Sequence, residues 1–172
     1  MKNRIRLVLF LFISTVFFGC NSQFCLQKRT SRLIEICQQN TDTVYLYSIA
    51  FNDFDIVWYH KDNCLYGFRV NPYYTETFSP IVVKDIILYD DSLNKYFDNF
   101  LFKNVQCFEN VLDGASVIIY IKNGDTLSSS IDIECLFSSK YKPNSFPYKL
   151  QYDFFKLRIC PLDFNFEKIY FE

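Results

Sequence analysis

From Arg32 onward the chain breaks into short apolar runs separated by polar turn residues. Arg32 to Gln38 stops at Asn40-Thr41-Asp42, Thr43 to Phe51 at Asn52-Asp53, Phe54 to His60 at Lys61-Asp62-Asn63, and Cys64 to Val70 at Asn71-Pro72. Such runs joined by short turns predict an antiparallel meander. Further along, Asn123-Gly124 between two β-rich runs predicts a type I′ hairpin, because both central residues must take positive φ. After it, Leu127, Ser129, Ile131, Ile133, Cys135 and Phe137 share one face of a strand, with Ser128, Ser130, Asp132 and Glu134 on the other. Ala115 to Ile121 is apolar on both sides and reads as an interior strand.

One segment has helical period. Leu93, Tyr96, Phe97, Phe100 and Leu101 fall at i, i+3, i+4, i+7 and i+8, and Asp91 or Ser92 can cap the first turn, which predicts an amphipathic helix near 92–102. Toward the C-terminus, Tyr148, Leu150, Tyr152 and Phe154 alternate with polar residues, and then the phase slips to Phe155, Leu157 and Ile159. A slip of one residue turns every side chain over, so a bulge or strand break is expected at Phe154-Phe155. Leu162, Phe164 and Phe166 read as a last edge strand. The sum is a mainly β, single domain over 32–172: an antiparallel, sandwich-like sheet of seven to nine strands with one helix near 92–102. An α+β sheet with a helix layer is the alternative.

The N-terminus is different. Lys2, Arg4 and Arg6 precede an apolar run from Leu7 to Phe18, broken only by Ser14 and Thr15, and then Gly19-Cys20 and the polar Asn21-Ser22-Gln23. That is a signal-peptide pattern, shorter than the roughly 20 apolar residues needed to span a bilayer. Residues 1–23 resemble the lipobox segment of bacterial lipoproteins, with Gly19 and Cys20 at its two most restrictive positions and Phe17 and Phe18 where the family usually has leucine and a small residue. The resemblance implies cleavage after residue 19, acylation of Cys20, and a membrane-anchored place in a bacterial cell envelope. Residues 20–31 then read as a tether between lipid and domain.

Removal of residues 1–19 takes away three cations and no acid, so the formal net charge moves from −1 to −4. That balance argues against a nucleic-acid partner, which needs a clustered basic face. The aromatic share, 20 % of the chain, reads mainly as core filling, with a displayed aromatic platform as the alternative. Setting Cys20 aside leaves Cys25, Cys37, Cys64, Cys107, Cys135 and Cys160. Six cysteines in an exported chain suit disulfides, in any of 15 pairings, and their wide spacing, without a CxxC, argues against a zinc or redox site.

Candidate chemistry is sparse. His60, the single histidine, precedes Cys64 across a turn, so the two could form a nucleophile–base pair. Asp132 and Glu134, at i, i+2 on one strand face, would hold two carboxylates about 7 Å apart, within the range glycosidases use. No phosphate-binding glycine loop exists and no cofactor or metal is implied. The basic, aromatic stretch carrying Lys140, Tyr141, Lys142, Phe146, Tyr148 and Lys149 reads as a recognition loop. The favoured expectation is a lipid-anchored envelope binding or interaction module without catalytic activity, contacting the membrane through acylated Cys20 and an envelope protein or glycan. An envelope hydrolase using Asp132 with Glu134 or His60 with Cys64 is one alternative, and a structural or assembly lipoprotein another.

Overall fold

The computed structural model describes residues 22–49, 53–83, 106–108, 115–143 and 145–171. Its centre is a fully antiparallel sheet built from β1 (Thr43–Ile49), β2 (Asp55–Lys61), β3 (Cys64–Val70), β4 (Thr75–Thr77), β5 (Ile81–Val82), β6 (Ala115–Ile121) and β7 (Thr126–Ile131). The order is β4-β3-β2-β1-β6-β7, with β5 also paired to β3. Helix α1 occupies residues 22–38, a 3₁₀ turn Gln106–Phe108, and the C-terminal third forms α2 (Ile133–Ser138), α3 (Phe146–Lys156) and α4 (Phe166–Phe171).

The expected antiparallel, seven-stranded β architecture is present as one sheet covered by helices on both faces. Val44, Leu46, Val57 and Val70 point to the side of α1, where Leu26, Ile34 and Cys37 complete a core. Tyr45, Tyr47, Ile56, Trp58, Val117 and Ile119 point the other way, onto Phe146, Leu150, Phe154 and Leu157. Central strands buried on two sides read as near-continuous apolar runs, which is why β1, β2 and β6 carry little polar alternation. Phe154 is the hub of the second core, set edge-on to Tyr47 at 5.1 Å and to Trp58 at 5.7 Å.

Several sequence expectations change. The run Arg32 to Gln38 is the second half of α1, and residues 22–31 of the expected tether are its first half. Leu26, Thr30, Ile34 and Cys37 are buried at i, i+4, i+8 and i+11, the spacing of one helical face. Reading only from Arg32 cut that pattern in two. The segment after Ile131 is α2, not more strand, because Asp132 caps it by accepting the Cys135 N–H at 3.0 Å. The phase slip at Phe154-Phe155 is the signature of helix: Phe146, Leu150, Phe154 and Leu157 share a face at i, i+4, i+8 and i+11. Ser145 caps α3 and Pro147 sits in its first turn, where its missing N–H costs nothing. The expected edge strand is absent: residues 162–165 form a turn and irregular backbone, and Phe166 opens α4, packing on Tyr148 and Tyr152 with both ring centroids at 5.3 Å. The helix expected near 92–102 lies outside the described residues.

Both tight hairpins show their turn chemistry. Asp62 and Asn63 have φ of 50° and 58°, the two-residue type I′ geometry, between β2 and β3. At Asn123-Gly124 the loop is three residues instead, Lys122 to Gly124, with φ +95° at Gly124 and the Gly124 N–H bonded to the Ile121 carbonyl. Gly67 on β3 has another role, since a Cβ there would collide with Leu157 and lie 2.9 Å from the Phe78 ring. A disulfide joins Cys107 to Cys135 and ties the 3₁₀ turn to α2.

Candidate functional site

The second core encloses a polar cluster. Trp58 and His60 lie two apart on β2 and so face the same side, toward α3. Asp153 of α3 meets both: its Oδ2 accepts from Trp58 Nε1 at 3.0 Å and from His60 Nε2 at 2.9 Å. One turn earlier on the same helix face, Lys149 donates from Nζ to the Tyr45 hydroxyl at 2.9 Å. Tyr45 closes the arrangement by stacking on Trp58 at 5.4 Å and meeting His60 edge-on at 6.4 Å.

The Asp153 side chain is 2 % exposed and that of His60 14 %, so the cluster reaches water along the imidazole. Burial alone would push the Asp153 carboxyl up, but His60 by charge and hydrogen bond, Lys149 by charge and Trp58 through its N–H hold it below the usual carboxylate range. An ionised carboxylate only accepts, so His60 Nε2 carries the hydrogen. The arrangement fixes the imidazole orientation, as a His–Asp pair does in general-base catalysis.

The expected nucleophile does not join it. Cys64 is paired with Lys61 and His60 with Leu65, and successive rows of a strand pair face opposite sides, so Cys64 and His60 lie on opposite faces of the sheet. The carboxylate pair also separates: Asp132 is spent as a helix cap and Glu134 projects from the exposed first turn of α2. The expected recognition loop is largely folded inward. Phe146 and Lys149 are buried on α3, Tyr148 packs on Phe166 and Tyr170, and the backbone N–H of Tyr141 donates to the Tyr170 hydroxyl at 2.9 Å. Lys140 and Lys142 stay exposed. Asp153 escaped the sequence reading because a strand assignment put it on the wet side; its spacing of four from Lys149, on the Leu150–Phe154 face, was the available signal.

A second feature lies across the sheet. The outer side of α1 and the β3–β4 edge border a groove of about 590 Å³. Leu33, Ile36, Phe68 and Pro72 give it apolar walls, while Lys28, Arg29 and Arg32 form a cationic rim. Cys20 lies outside the described residues, as does the apolar run Leu7 to Phe18. Among the described residues no helix is long and apolar enough to cross a membrane. Comparison with known proteins finds no matching family model, no matching characterised protein and no matching solved structure.

Proposed function

We propose that this protein is a lipid-anchored interaction module of a bacterial cell envelope, held by acylated Cys20 and binding an envelope partner rather than turning over a substrate. The observation that carries this reading is the groove along α1, the helix that follows the lipidation motif: a cationic rim over apolar walls suits an acidic, partly apolar protein segment or an acidic glycan. The Cys107–Cys135 disulfide supports an oxidising compartment. The envelope-hydrolase reading keeps the His60–Asp153 pair in its favour, but the nucleophile and carboxylate partners it called for stand elsewhere.

Two experiments test the proposal. Mass spectrometry of the mature N-terminus should find an acylated Cys20, and an unmodified cysteine or another cleavage site would overturn the anchor. Pull-down from envelope extracts, with a glycan array beside it, should capture an acidic partner whose retention falls at least tenfold in Lys28→Glu/Arg32→Glu. Retention unchanged by that variant would remove the groove as the binding surface.

A further inference from the structure

We infer that the end of the sheet from which α1 starts is a docking surface for an anionic bilayer, so that the domain stands end-on against the membrane that anchors it. The inference rests on the lipid-anchored reading and adds to it an orientation and a second membrane contact.

The two ends of the sheet are distinguishable. Thr30 Oγ1 donates to Asp55 Oδ2 at 2.6 Å, and Asp55 opens β2 opposite Val70. The first turns of α1 therefore lie at the end carrying the 71–74 turn. Arg29 Nε, bonded to the Pro72 carbonyl at 2.9 Å, pins helix and turn together. The far end carries the Asp62-Asn63 and Lys122–Gly124 turns, some 20 Å away at the rise of a seven-residue strand. Cys20 precedes the first described residue by two positions, which span at most about 7 Å. An acyl chain on Cys20 thus enters the bilayer at the 71–74 end.

That end displays the chemistry of a membrane interface. Tyr73 is 79 % exposed, Tyr74 60 % and Phe24 66 %. The tyrosines are fixed outward, because Asn71 Oδ1 accepts both their backbone N–H groups at 2.9 and 2.8 Å. Aromatic rings favour the headgroup level of a bilayer. Lys28, Arg29 and Arg32 lie behind Phe24 on α1, and Arg69 projects from the end of β3, all exposed. Asp53 and Glu76 are exposed beside them and Glu35 lies farther along α1, while Asp132 and Glu134, also exposed at that end, stand past β7, where Ile131 pairs with Ala115. The cations gather at the corner of α1 and β3, next to the anchor, and basic groups beside a lipid anchor are drawn to anionic headgroups. In this orientation the groove rises from the membrane surface and stays open at its side.

The test uses the full chain reconstituted into phosphatidylcholine vesicles with and without phosphatidylglycerol, containing brominated lipids that quench tryptophan on contact. Trp58 is fully buried and gives a constant background. A reporter is placed at each end, by Tyr73→Trp in one protein and Lys122→Trp in another. The docking surface predicts quenching at least threefold greater for Tyr73→Trp, falling toward the Lys122→Trp level when phosphatidylglycerol is omitted or Lys28→Glu/Arg32→Glu is added. Equal quenching at the two ends overturns the orientation, and quenching indifferent to lipid charge overturns the role of the cations. Mass spectrometry separates this from the anchor: acylated Cys20 with equal quenching refutes the docking surface alone, whereas selective quenching with unmodified Cys20 refutes the anchor alone.

Discussion

Trp58 and His60 place their ring nitrogens on a single oxygen of Asp153, at 3.0 and 2.9 Å, so one buried carboxylate fixes α3 against β2. Replacing that oxygen by a neutral amide leaves two buried donors with a poorer acceptor. Asp153→Asn should therefore cost about 3 kcal/mol in denaturant unfolding. A cost below about 1 kcal/mol would mean that packing alone positions α3.

The same carboxylate sets an acid limit. Its pKa is lowered in the folded chain, so its contribution is complete above the unfolded value of about 4 and is lost as pH falls through the lower folded value. Stability measured from pH 6 to pH 2 should show a decline below about pH 4 that is shallower in Asp153→Asn. Parallel curves for the two proteins would contradict this linkage.

The Cys107–Cys135 bond closes a loop with a sequence separation of 28. Loop-closure entropy for that length corresponds to about 3–4 kcal/mol. Reduction, or the Cys107→Ser/Cys135→Ser double variant, should lower stability by roughly that amount while leaving the far-UV circular dichroism of the folded state unchanged. A Tm unaffected by reductant would argue that the two thiols are not bonded in the mature protein.

Cysteine reactivity should divide by burial. Burial pushes the Cys37 thiol up to about 11, whereas Cys25 lies exposed on α1. At pH 8 the thiolate of Cys37 is about a thousandth of its population, so native maleimide labelling followed by peptide mapping should find Cys25 modified and Cys37 intact. Early modification of Cys37 would place α1 away from the sheet.

Gly67→Ala probes the fit between β3 and the end of α3. The added methyl would meet Leu157, itself buried, and the Phe78 ring. Overpacking of this kind costs about 1–3 kcal/mol. A neutral effect would show that Leu157 can move aside.

The strand meander was legible because its signals are local: alternating β-rich segments such as Thr43–Ile49, and turn residues such as Asp62-Asn63 whose conformational tolerance is intrinsic. The C-terminal helices were misread for a physical reason. Tyr, Phe and Ile are strand-favouring residues, and in α3 tertiary burial on Trp58 and Tyr47 overrides that preference. With eleven residues, α3 offers little more than three turns in which to see a helical period. The polar cluster was hidden for the same reason, since Lys149 and Asp153 become neighbours of Tyr45, Trp58 and His60 only once α3 is a helix lying on the face of the sheet opposite α1. The groove depends on α1, whose first half read as linker.

The placement of β1 bears on how the molecule forms. β1 lies between β2 and β6, and the side chains that seal its far face arrive last: Trp58 and Asp153 are separated by 95 residues and Tyr45 and Lys149 by 104. The β1–β2–β3 hairpins can pair early, but they leave Tyr45, Tyr47 and Trp58 uncovered until α3 docks. The core under α1 has all its buried members within residues 26–70, but the core under α3 cannot close in any fragment that ends before that helix, and contacts over such long contours slow folding. One face of the sheet can be sealed by the first half of the described chain, while the other waits for residues 146–157.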